Sequence, residues 1–389
     1  MPIKNRFAEM HAEMTGWRHD FHMHPELLYD VHRTAGTVAK LLREFGCDEV
    51  VEGVGQTGVV GVINGKTNRS GKTIGLRADM DALPIPEQTG LDYASTIPGK
   101  MHACGHDGHT TMLLGAAKYM CETRNFDGRA VVIFQPAEEG GAGGLAMVED
   151  GLMDRFAVDE VYGLHNAPGI PVGQFAIRPG PLMASSDEFT ITVTGQGGHA
   201  AEPHRAIDTT LVAAQIVVTL QSIVSRSVDP LQNVVVTVGT FKTDSEASNV
   251  IAHEAIMEGT VRTLDEACRD LAEDRVRAIV AGVAQTYGAT ATVDYERGYP
   301  VTVNHPAETT HAANVARIVA GGVIDDVDPI MPAEDFSYML LERPGAYIFM
   351  GNGDSAACHH PAYNFDDEAL PYGASWLAGM VEARAPKST

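Results

Sequence analysis

Short runs of apolar residues alternate, over the first half of the chain, with longer segments of helical periodicity. The short runs are typical of buried strands, whereas the longer segments place apolar residues three and four positions apart, as amphipathic helices do. This alternation predicts an α/β domain in which helices cover the faces of a sheet. The predicted strands are VVGVI (59–63), TIGLRA (73–78), AVVIF (130–134) and VDEVYGL (158–164), and the helical segments include TAGTVAKLLREFG and HTTMLLGAAKYM.

The order of the patterns changes after about residue 185. Strand, helix, strand, strand, helix and strand follow one another, which is the β-α-β-β-α-β order of a ferredoxin-like unit. The earlier patterns then resume, including the strand AYIFMGNG (346–353). An inserted compact domain explains this order, because exposed loops tolerate insertions. We predict a larger domain formed by residues 1–184 and 298–389, with an inserted domain at 185–297.

The composition, with 44% apolar and 20% charged residues, is that of a soluble globular protein. Its 51 acidic residues outnumber the 28 basic ones, which gives a formal charge of -23 at pH 7. So negative a surface argues against nucleic acid or an anionic membrane as a partner. It leaves room for a small anionic substrate, since one arginine or a metal ion can reverse the field inside a pocket.

The location of the protein is predicted from its apolar runs and its cysteines. No apolar run approaches the roughly 18 residues that span a bilayer, and the N-terminal stretch has no signal-peptide core. The five scattered cysteines, an odd number, are not typical of a disulfide framework. We therefore expect a reduced, cytoplasmic protein.

Carboxylates and imidazoles follow four of the predicted strands. Because ligands in open α/β sheets bind outside the carboxyl ends of the strands, we expect these side chains at one edge. The dense segment MHACGHDGHTT (101–111) lies just before a predicted helix and can join the same crevice. The residues that follow the strands are Asp79 and Asp81, Glu138 and Glu139, His165, and the pair His359 and His360.

This set of donors predicts a metal centre. Imidazole, carboxylate and thiolate together favour zinc, manganese, cobalt or nickel over calcium or magnesium. The candidates outnumber the ligands of one tetrahedral ion, so we expect two ions that share a ligand. Two ions roughly 3.5–4 Å apart can polarise a carbonyl and generate hydroxide from water. A structural zinc knuckle, a serine triad, a dinucleotide fold and a phosphate-binding loop all lack their motifs.

The adjacent residues Glu138 and Glu139 suggest a division of labour. One carboxylate can bind metal while the other takes a proton from metal-bound water and passes it to the leaving amine. The alternative is a solvated acidic loop. For Cys104 the alternatives are a small buried core residue and a ligand beside His106. None of the other cysteines stands in a Cys-Gly-His sequence like that of Cys104 and His106, and we predict that they are packed and unreactive. They are Cys47, Cys121, Cys268 and Cys358.

Nine segments, in this order, resemble the hippurate hydrolase and indoleacetyl-amino-acid hydrolase branch of the metal-dependent aminoacylase–carboxypeptidase superfamily. The resemblance runs from about residue 17 to 372, and MHACGHDGH together with QPAEEG is its most specific part. It implies an exopeptidase-like catalytic domain with a dinuclear site and an inserted ferredoxin-like domain used for dimerisation. The segments are WRHDFHMHPEL, GLRADMDALPI, MHACGHDGHTT, FQPAEEGGAGG, GLHN, GQGGHAAEPH, SNVI…GTVRT, MPAEDFSY and HHPAYNFDDEALP.

The resemblance also implies roles for single residues. Glu138 matches the general acid/base of the family. In the last motif the ligand stands two residues before the proline, which selects His359, although the unusual CHHP sequence leaves His360 open. The residues that match metal ligands are Cys104, His106, Glu139, His165 and His359.

In the inserted domain, His199 matches a histidine that helps bind the reacting carbonyl, often in the partner subunit's site. Asn249 and Arg262 match polar groups that contact substrate. The alternatives are a surface-loop histidine for His199 and a simple salt-bridge partner for Arg262. The remaining polar residues of the metal motifs are better interpreted as groups that orient ligands: Asp79, Asp81, His102, Asp107 and His109.

Together these observations predict a metal-dependent amidohydrolase that cleaves N-acyl-L-amino acids into a carboxylic acid and a free amino acid. We expect two divalent ions per subunit and a homodimer or higher homo-oligomer formed through the inserted domain. A dipeptidase or carboxypeptidase using the same dinuclear site is the alternative. A non-catalytic binding relative is a further possibility, which the intact Glu138 and the full ligand set disfavour.

Overall fold

The computed structural model describes residues 4–387. Two compact units make up the chain. The first contains the residues up to Leu182, Val303–Asp328 and the residues from Asp335 onward, and the second contains Met183–Thr302 and Pro329–Glu334. The second unit is thus longer than the 185–297 expected from sequence, and it recruits the short 329–334 segment, which no periodicity marks.

The helices of residues 4–387 carry the labels α1 to α10 in chain order. They are α1 (Asn5–Met23), α2 (His32–Phe45), α3 (His106–Thr123), α4 (Gly143–Glu149), α5 (Leu152–Arg155), α6 (Thr209–Ser222), α7 (Glu266–Thr286), α8 (Pro306–Ala320), α9 (Phe336–Glu342) and α10 (Leu370–Arg384).

The strands of the same range carry the labels β1 to β15. They are β1 (Glu49–Val54), β2 (Gly58–Asn64), β3 (Thr73–Asp79), β4 (Arg129–Gln135), β5 (Glu160–Ala167), β6 (Phe175–Ala176), β7 (Gly180–Met183), β8 (Asp187–Thr194), β9 (Gly198–His199), β10 (Val234–Thr243), β11 (Val250–Ile251), β12 (Glu254–Thr263), β13 (Thr290–Arg297), β14 (Thr302–Asn304) and β15 (Gly345–Gly351).

The first unit is built on a sheet with the strand order β1-β2-β4-β3-β5-β15-β6. Its central strands β4, β3, β5 and β15 lie side by side and parallel. In the register, Asp79 pairs with Gln135, and His165 pairs with Phe349. The carboxyl ends of these strands therefore share one edge, as the sequence predicts. Strands buried on both faces read as continuous apolar runs, which explains the sequence pattern of β3 and β15.

Helices bury the faces of this sheet through amphipathic or fully apolar surfaces. Helix α2 buries Val38, Ala39 and Leu42 on one face. It ends at Gly46, whose φ of 86° is left-handed and suits glycine at this position after a helix. Helix α3 is buried along most of its length, which makes it a central element of the core and a rigid support for the residues at its N-terminus.

The second unit has the antiparallel strand order β10-β12-β8-β13, with α6 and α7 between its strands in the chain. This is the arrangement of a ferredoxin-like fold, so the predicted fold is confirmed. In β8 every second residue is buried, so that Phe189, Ile191 and Val193 join the core with residues of both helices. One face of the sheet is therefore packed and the other polar, as the alternation in EFTITVTG indicates.

One helical segment of this unit is long and apolar. By length and composition alone, Thr209–Ser227 could cross a membrane, with a hydropathy of 1.2. A single segment of this kind is weak evidence, because a core helix passes the same test. Here Val212, Ile216 and Leu220 of α6 are buried in the core of the unit.

Candidate metal centre

The MHACGHD segment enters the first unit as a tight loop followed by a helix. Helix α3 begins at His106, so Cys104 lies in the loop and His106 occupies the first helical position. Between them Gly105 has a φ of 94°, and a Cβ there would lie 2.3 Å from the Asn166 Nδ2 atom. Only glycine fits both restraints, and it sets the direction in which Cys104 and His106 leave the loop.

Five potential donors converge in this unit. The Cys104 Sγ atom lies 3.3 Å from His165 Nε2, and the His359 Nε2 atom lies 3.3 Å from Glu139 Oε1. His106 Nε2 lies 3.9 Å from the same Glu139 oxygen. Two groups of three donors, each with its atoms within 4.8 Å of one another, share the Cys104 thiol: Cys104, His106 and His165, and Cys104, Glu139 and His359.

The histidines are oriented by backbone carbonyl groups. His106 Nδ1 lies 2.8 Å from the carbonyl oxygen of Asp81, and His165 Nδ1 lies 2.6 Å from that of Asn166. A carbonyl can only accept, so each Nδ1 carries the proton and donates it. Each Nε2 atom is then left with a lone pair that faces the other donors, which is the arrangement that metal-binding histidines show.

Buried atoms without hydrogen bonds test whether a metal fits. His106 Nε2 is fully buried and has no hydrogen-bond partner among the described residues. Glu139 Oε1 also lacks a well-oriented hydrogen bond, although His359 lies nearby. Leaving such polar atoms buried without a partner costs about 1–3 kcal/mol each. Imidazole, carboxylate and thiolate donors around both atoms fit a divalent metal, which would remove this cost.

The electrostatics of His165 and Cys104 agree with this interpretation, whereas the neighbouring carboxylates, opposed by burial, raise the pKa of His106. Burial and the neighbouring His109 lower the pKa of His165, which favours the neutral imidazole that binds metal. The adjacent Cys358 thiol and burial raise the pKa of Cys104 well above its usual range. A nearby cation is therefore needed to keep Cys104 as the thiolate, the form that ligates metal.

Asp81 organises the turn that carries the two glutamates. Its Oδ1 atom accepts a hydrogen bond from the Glu138 N–H at 3.0 Å, and its Oδ2 atom accepts one from the Glu139 N–H at 3.1 Å. Asp81 is fully buried, and its backbone carbonyl oxygen accepts a hydrogen bond from His106 Nδ1. One residue thus connects both glutamates to a histidine, and Glu138 Oε2 lies 3.9 Å from His106 Nε2.

A second buried network lies around Asp79. Its Oδ1 atom lies 2.7 Å from His109 Nδ1, and its Oδ2 atom accepts a hydrogen bond from Arg77 at 2.6 Å. His109 Nε2 accepts the Asn166 N–H at 3.0 Å. Both carboxylate oxygens and both ring nitrogens are engaged, so these residues support the donors. His102 lies outside the donor groups, and burial lowers its pKa to about 4.

The two histidines of CHHP have different surroundings. The His359 N–H donates to the Ala103 carbonyl oxygen at 2.7 Å, and its φ of 67° is in the left-handed region. This conformation, strained for a residue other than glycine, turns the His359 ring toward Glu139. Both histidines are exposed, but the His360 Nδ1 atom accepts the Ala362 N–H and lies in none of the donor groups. The structure therefore brings His359, and not His360, to the donor groups.

Three of the residues singled out in the sequence lie in the second unit. His199 in β9 is exposed and pairs with Val250 of β11. Asn249 precedes β11, and its carbonyl group accepts the Ala200 N–H at 3.0 Å, so the structure brings Asn249 close to His199. Arg262 of β12 is half-buried, and burial lowers its pKa. It forms no salt bridge within residues 4–387.

Two residues that support the centre carried no sequence signal of their own. Asn166 donates through Nδ2 to the Cys104 carbonyl oxygen at 2.5 Å, and its Oδ1 atom accepts from the Tyr363 hydroxyl at 2.6 Å. These bonds link the Cys104 loop to Asn166 in β5 and, through Asn166, to Tyr363 in the C-terminal segment. Asn166 lies in the GLHN segment and Tyr363 in HHPAYNFDDEALP, but neither segment assigns a role to these residues.

Comparison with known proteins places the chain in a family. Residues 75–383 match the model of "Peptidase family M20/M25/M40". The chain belongs to this family. It is 42% identical over 383 residues to the hippurate hydrolase of Campylobacter jejuni, covering 98% of this chain and 99% of that protein. It is 40% identical over 382 residues to thermostable carboxypeptidase 1 of Saccharolobus solfataricus, covering 96% and 95%.

A solved structure supports the same assignment. The Bacillus subtilis YXEP protein, described as a dinuclear metal binding peptidase of the M20 family, matches with a TM-score of 0.85 and 33% identity. The match covers 97% of this chain and 99% of that one. The family resemblance and the fold class predicted from the motifs are therefore confirmed for this M20 protein.

Proposed function

We propose that this M20 protein hydrolyses the amide bond of N-acyl-L-amino acids and releases a carboxylic acid and a free amino acid. The observation that carries the proposal is the pair of three-donor groups sharing Cys104, with Glu138 beside them. The relatives include a hippurate hydrolase at 42% identity over nearly the whole of both chains. The similarity to a hippurate hydrolase supports an amide of an amino acid as the substrate.

The proposal assigns two divalent ions to each subunit. The residues that would hold them are Cys104, His106, Glu139, His165 and His359. When bound, two such ions polarise the substrate carbonyl and lower the pKa of a water molecule. Zinc, manganese, cobalt and nickel all suit these donors.

The protein's own residues then carry the proton and orient the substrate. Glu138 takes the proton of the attacking water and delivers it to the nitrogen of the leaving amino acid, so that the amine departs neutral. Asp81 holds the backbone of Glu138 in place for both transfers. His199 donates a hydrogen bond to the carbonyl oxygen as negative charge develops there. Asn249 and Arg262 bind the polar end of the substrate.

The inserted domain is proposed to form the contact between two copies of this chain. On α6, Leu211 and Val218 are 47% and 67% exposed, and their spacing of seven places them on one face. Strand β10 is an edge strand that exposes Phe241 at 41%. Exposed apolar side chains next to an unpaired strand edge favour association of two copies. The contact would remove the apolar side chains from water and satisfy the backbone groups of the strand edge. In this proposal the first unit carries the catalytic centre, and the second unit forms the dimer contact.

A reducing, cytoplasmic location is part of the same proposal. All five cysteines are free thiols. Cys104 in particular has to remain a thiol or thiolate to bind metal. A reducing compartment keeps it in that state.

Hydrolysis of dipeptides is the second candidate, favoured by the 40% identity to a carboxypeptidase. Both functions need the same centre and differ in what lies on the acyl side of the amide. The test is to strip the purified protein with a chelator and to assay hippurate, N-acetyl amino acids and dipeptides before and after restoring each metal. We expect activity to be lost and regained, with the highest kcat/KM on N-acyl amino acids. Cleavage that survives full metal removal would refute the proposal, and a preference for dipeptides would select the alternative.

A further inference from the structure

Two cysteines distant in the sequence meet in the first unit, away from the five metal-site donors. The Cys47 and Cys121 Sγ atoms lie 3.6 Å apart. Cys47 follows the left-handed Gly46 at the end of α2, and Cys121 lies near the end of α3. Both thiols are half-buried at the edge of the core. Both cysteines pack at the edge of the core, as the sequence predicts, but the sequence does not predict that their thiols meet.

Arg124 places a positive charge beside the two thiols. It ends α3 in a left-handed conformation and donates to the Gly46 carbonyl oxygen at 3.0 Å and to the Asp48 carboxylate at 2.6 Å. These two acceptors flank Cys47 in the chain. The guanidinium is therefore fixed next to the thiol pair.

The two thiols are unequal in acidity. The hydrogen bond with Cys47 lowers the pKa of Cys121 and the charge of Arg124 lowers it further, while burial and the carboxylates of Asp48 and Glu122 oppose this. The same contact raises the pKa of Cys47. One thiol is thus suited to lose its proton and the other to keep it, as in dithiol pairs that exchange with disulfides.

We propose that Cys47 and Cys121 form a reversible redox site that is oxidised to a disulfide by low-molecular-weight disulfides such as oxidised glutathione. The Cys121 thiolate attacks one sulfur of the small disulfide, forming a mixed disulfide and releasing one thiolate. Cys47 then loses its proton and attacks the Cys121 sulfur, forming the Cys47–Cys121 bond and releasing the second thiol. Two protein thiols are oxidised and one small disulfide is reduced, so that atoms and electrons balance.

The effect of this bond is expected on stability and not on catalysis. The two sulfur atoms lie 3.6 Å apart and have to approach to about 2.05 Å to form the bond. Cys121 is 15 residues beyond His106 on α3, which corresponds to about 22 Å along a helix. The link joins residues 74 positions apart and restricts the unfolded chain. We expect the melting temperature to rise by about 5 °C on oxidation.

The test uses the metal-loaded protein in buffers with different ratios of oxidised to reduced glutathione. Samples are quenched by alkylation, digested without reduction and analysed by mass spectrometry. We expect one cross-linked pair of peptides containing Cys47 and Cys121, lighter by two hydrogen atoms than the separate peptides, with kcat within twofold of the reduced protein. Recovery of both residues as alkylated thiols under oxidising buffer would overturn the proposal.

Variants separate the roles of the two thiols. Cys47→Ser is expected to stop at a mixed disulfide of Cys121 with glutathione, because the second attack is lost. Cys121→Ser is expected to react at least tenfold more slowly than wild type, and Cys268→Ser, from the second unit, is the matched control that should cross-link normally. Equal reaction rates for Cys121→Ser and wild type, or a disulfide found between Cys104 and Cys358 instead, would contradict the assignment. The cross-linking and alkylation outcomes do not depend on the substrate, so they can fail or succeed independently of the proposed function.

Discussion

The buried carboxylate of Asp81 accepts the backbone N–H of Glu138 at 3.0 Å, and its second oxygen accepts that of Glu139. A carboxylate offers an acceptor to each N–H, whereas an amide offers only one. The two glutamates therefore keep their positions because each carboxylate oxygen of the buried Asp81 accepts one of the two N–H groups. The relationship makes the turn after β4 dependent on a residue that follows β3.

Replacing Asp81 by Asn tests this positioning role. The Asn side chain would direct an NH₂ group at one of the two N–H donors, and the turn would shift. Because a displacement of about 1 Å in a catalytic group can cost a hundredfold in rate, we expect kcat to fall by about that factor with KM changed little. Steady-state kinetics at saturating metal measure this. Asp92→Asn, at an exposed site, is the control, and wild-type kcat in Asp81→Asn would contradict the role.

Replacing Glu138 by Gln separates proton transfer from metal binding. The amide has nearly the same shape but does not take up a proton, so we expect kcat to fall by about 10³-fold. Metal content, measured by mass spectrometry of the metals, should remain that of wild type because Glu138 is not among the five proposed ligands. Glu149→Gln, at an exposed position, controls for loss of a charge. Substantial turnover by Glu138→Gln would show that another group moves the proton.

Replacing His199 by Ala tests the proposed carbonyl contact. Loss of one donor to a developing negative charge typically costs about 10²–10³ in kcat, and we expect a loss of that size. Since His199 is exposed and lies outside the donor groups, metal content should not change. His253→Ala, also exposed in the second unit, is the matched control. A metal-depleted His199→Ala protein would argue for a structural role.

The pH dependence of stability should report on His22. Burial alone would lower its pKa, but hydrogen bonds to Asp107 and Glu87 raise the pKa from the ordinary 6.5 of histidine to about 9. A raised pKa in the folded state gives stabilisation that is complete below 6.5 and is lost as the pH rises through 9. The side chain is fully buried, so the change corresponds to roughly 3 kcal/mol.

We therefore expect His22→Gln to destabilise the protein more at pH 6 than at pH 10. Urea unfolding at both pH values measures the free energy of unfolding of each variant. His32→Gln, whose side chain is 75% exposed, is the control and should change little at either pH. A His22→Gln effect that is independent of pH would mean that the ring contributes by packing and not by charge.

The proposed dimer contact predicts the effect of a single charge. Lysine at position 218 would put a cation on the apolar face of α6, so Val218→Lys should shift the protein toward monomer and weaken association at least tenfold. Sedimentation velocity over a range of protein concentrations measures this. Ile318→Lys is the matched control, because Ile318 is 70% exposed on α8 of the first unit. A monomeric wild-type protein, or a dimer unaffected by Val218→Lys, would contradict the contact.

Local patterns in the sequence determined the elements and the chemistry of this protein. Apolar runs identified the central strands because both faces of a parallel sheet are buried, and alternation identified β8 because one face of its sheet is polar. The motifs predicted the donors and the family, because imidazole and carboxylate groups follow those strands and the Cys104 thiol directly precedes α3. Boundaries were less certain, since the 329–334 segment joins the second unit through long-range contacts alone.

Only the tertiary structure decided how distant residues act on one another. The choice between His359 and His360 depends on a left-handed backbone and on the Ala103 carbonyl group, neither of which is written in CHHP. The pairing of Cys47 with Cys121 follows from the packing of α2 against α3. Periodicity in the sequence shows which face of a helix or strand is buried. Which residue packs against that face is decided by the close packing of side chains in the whole core.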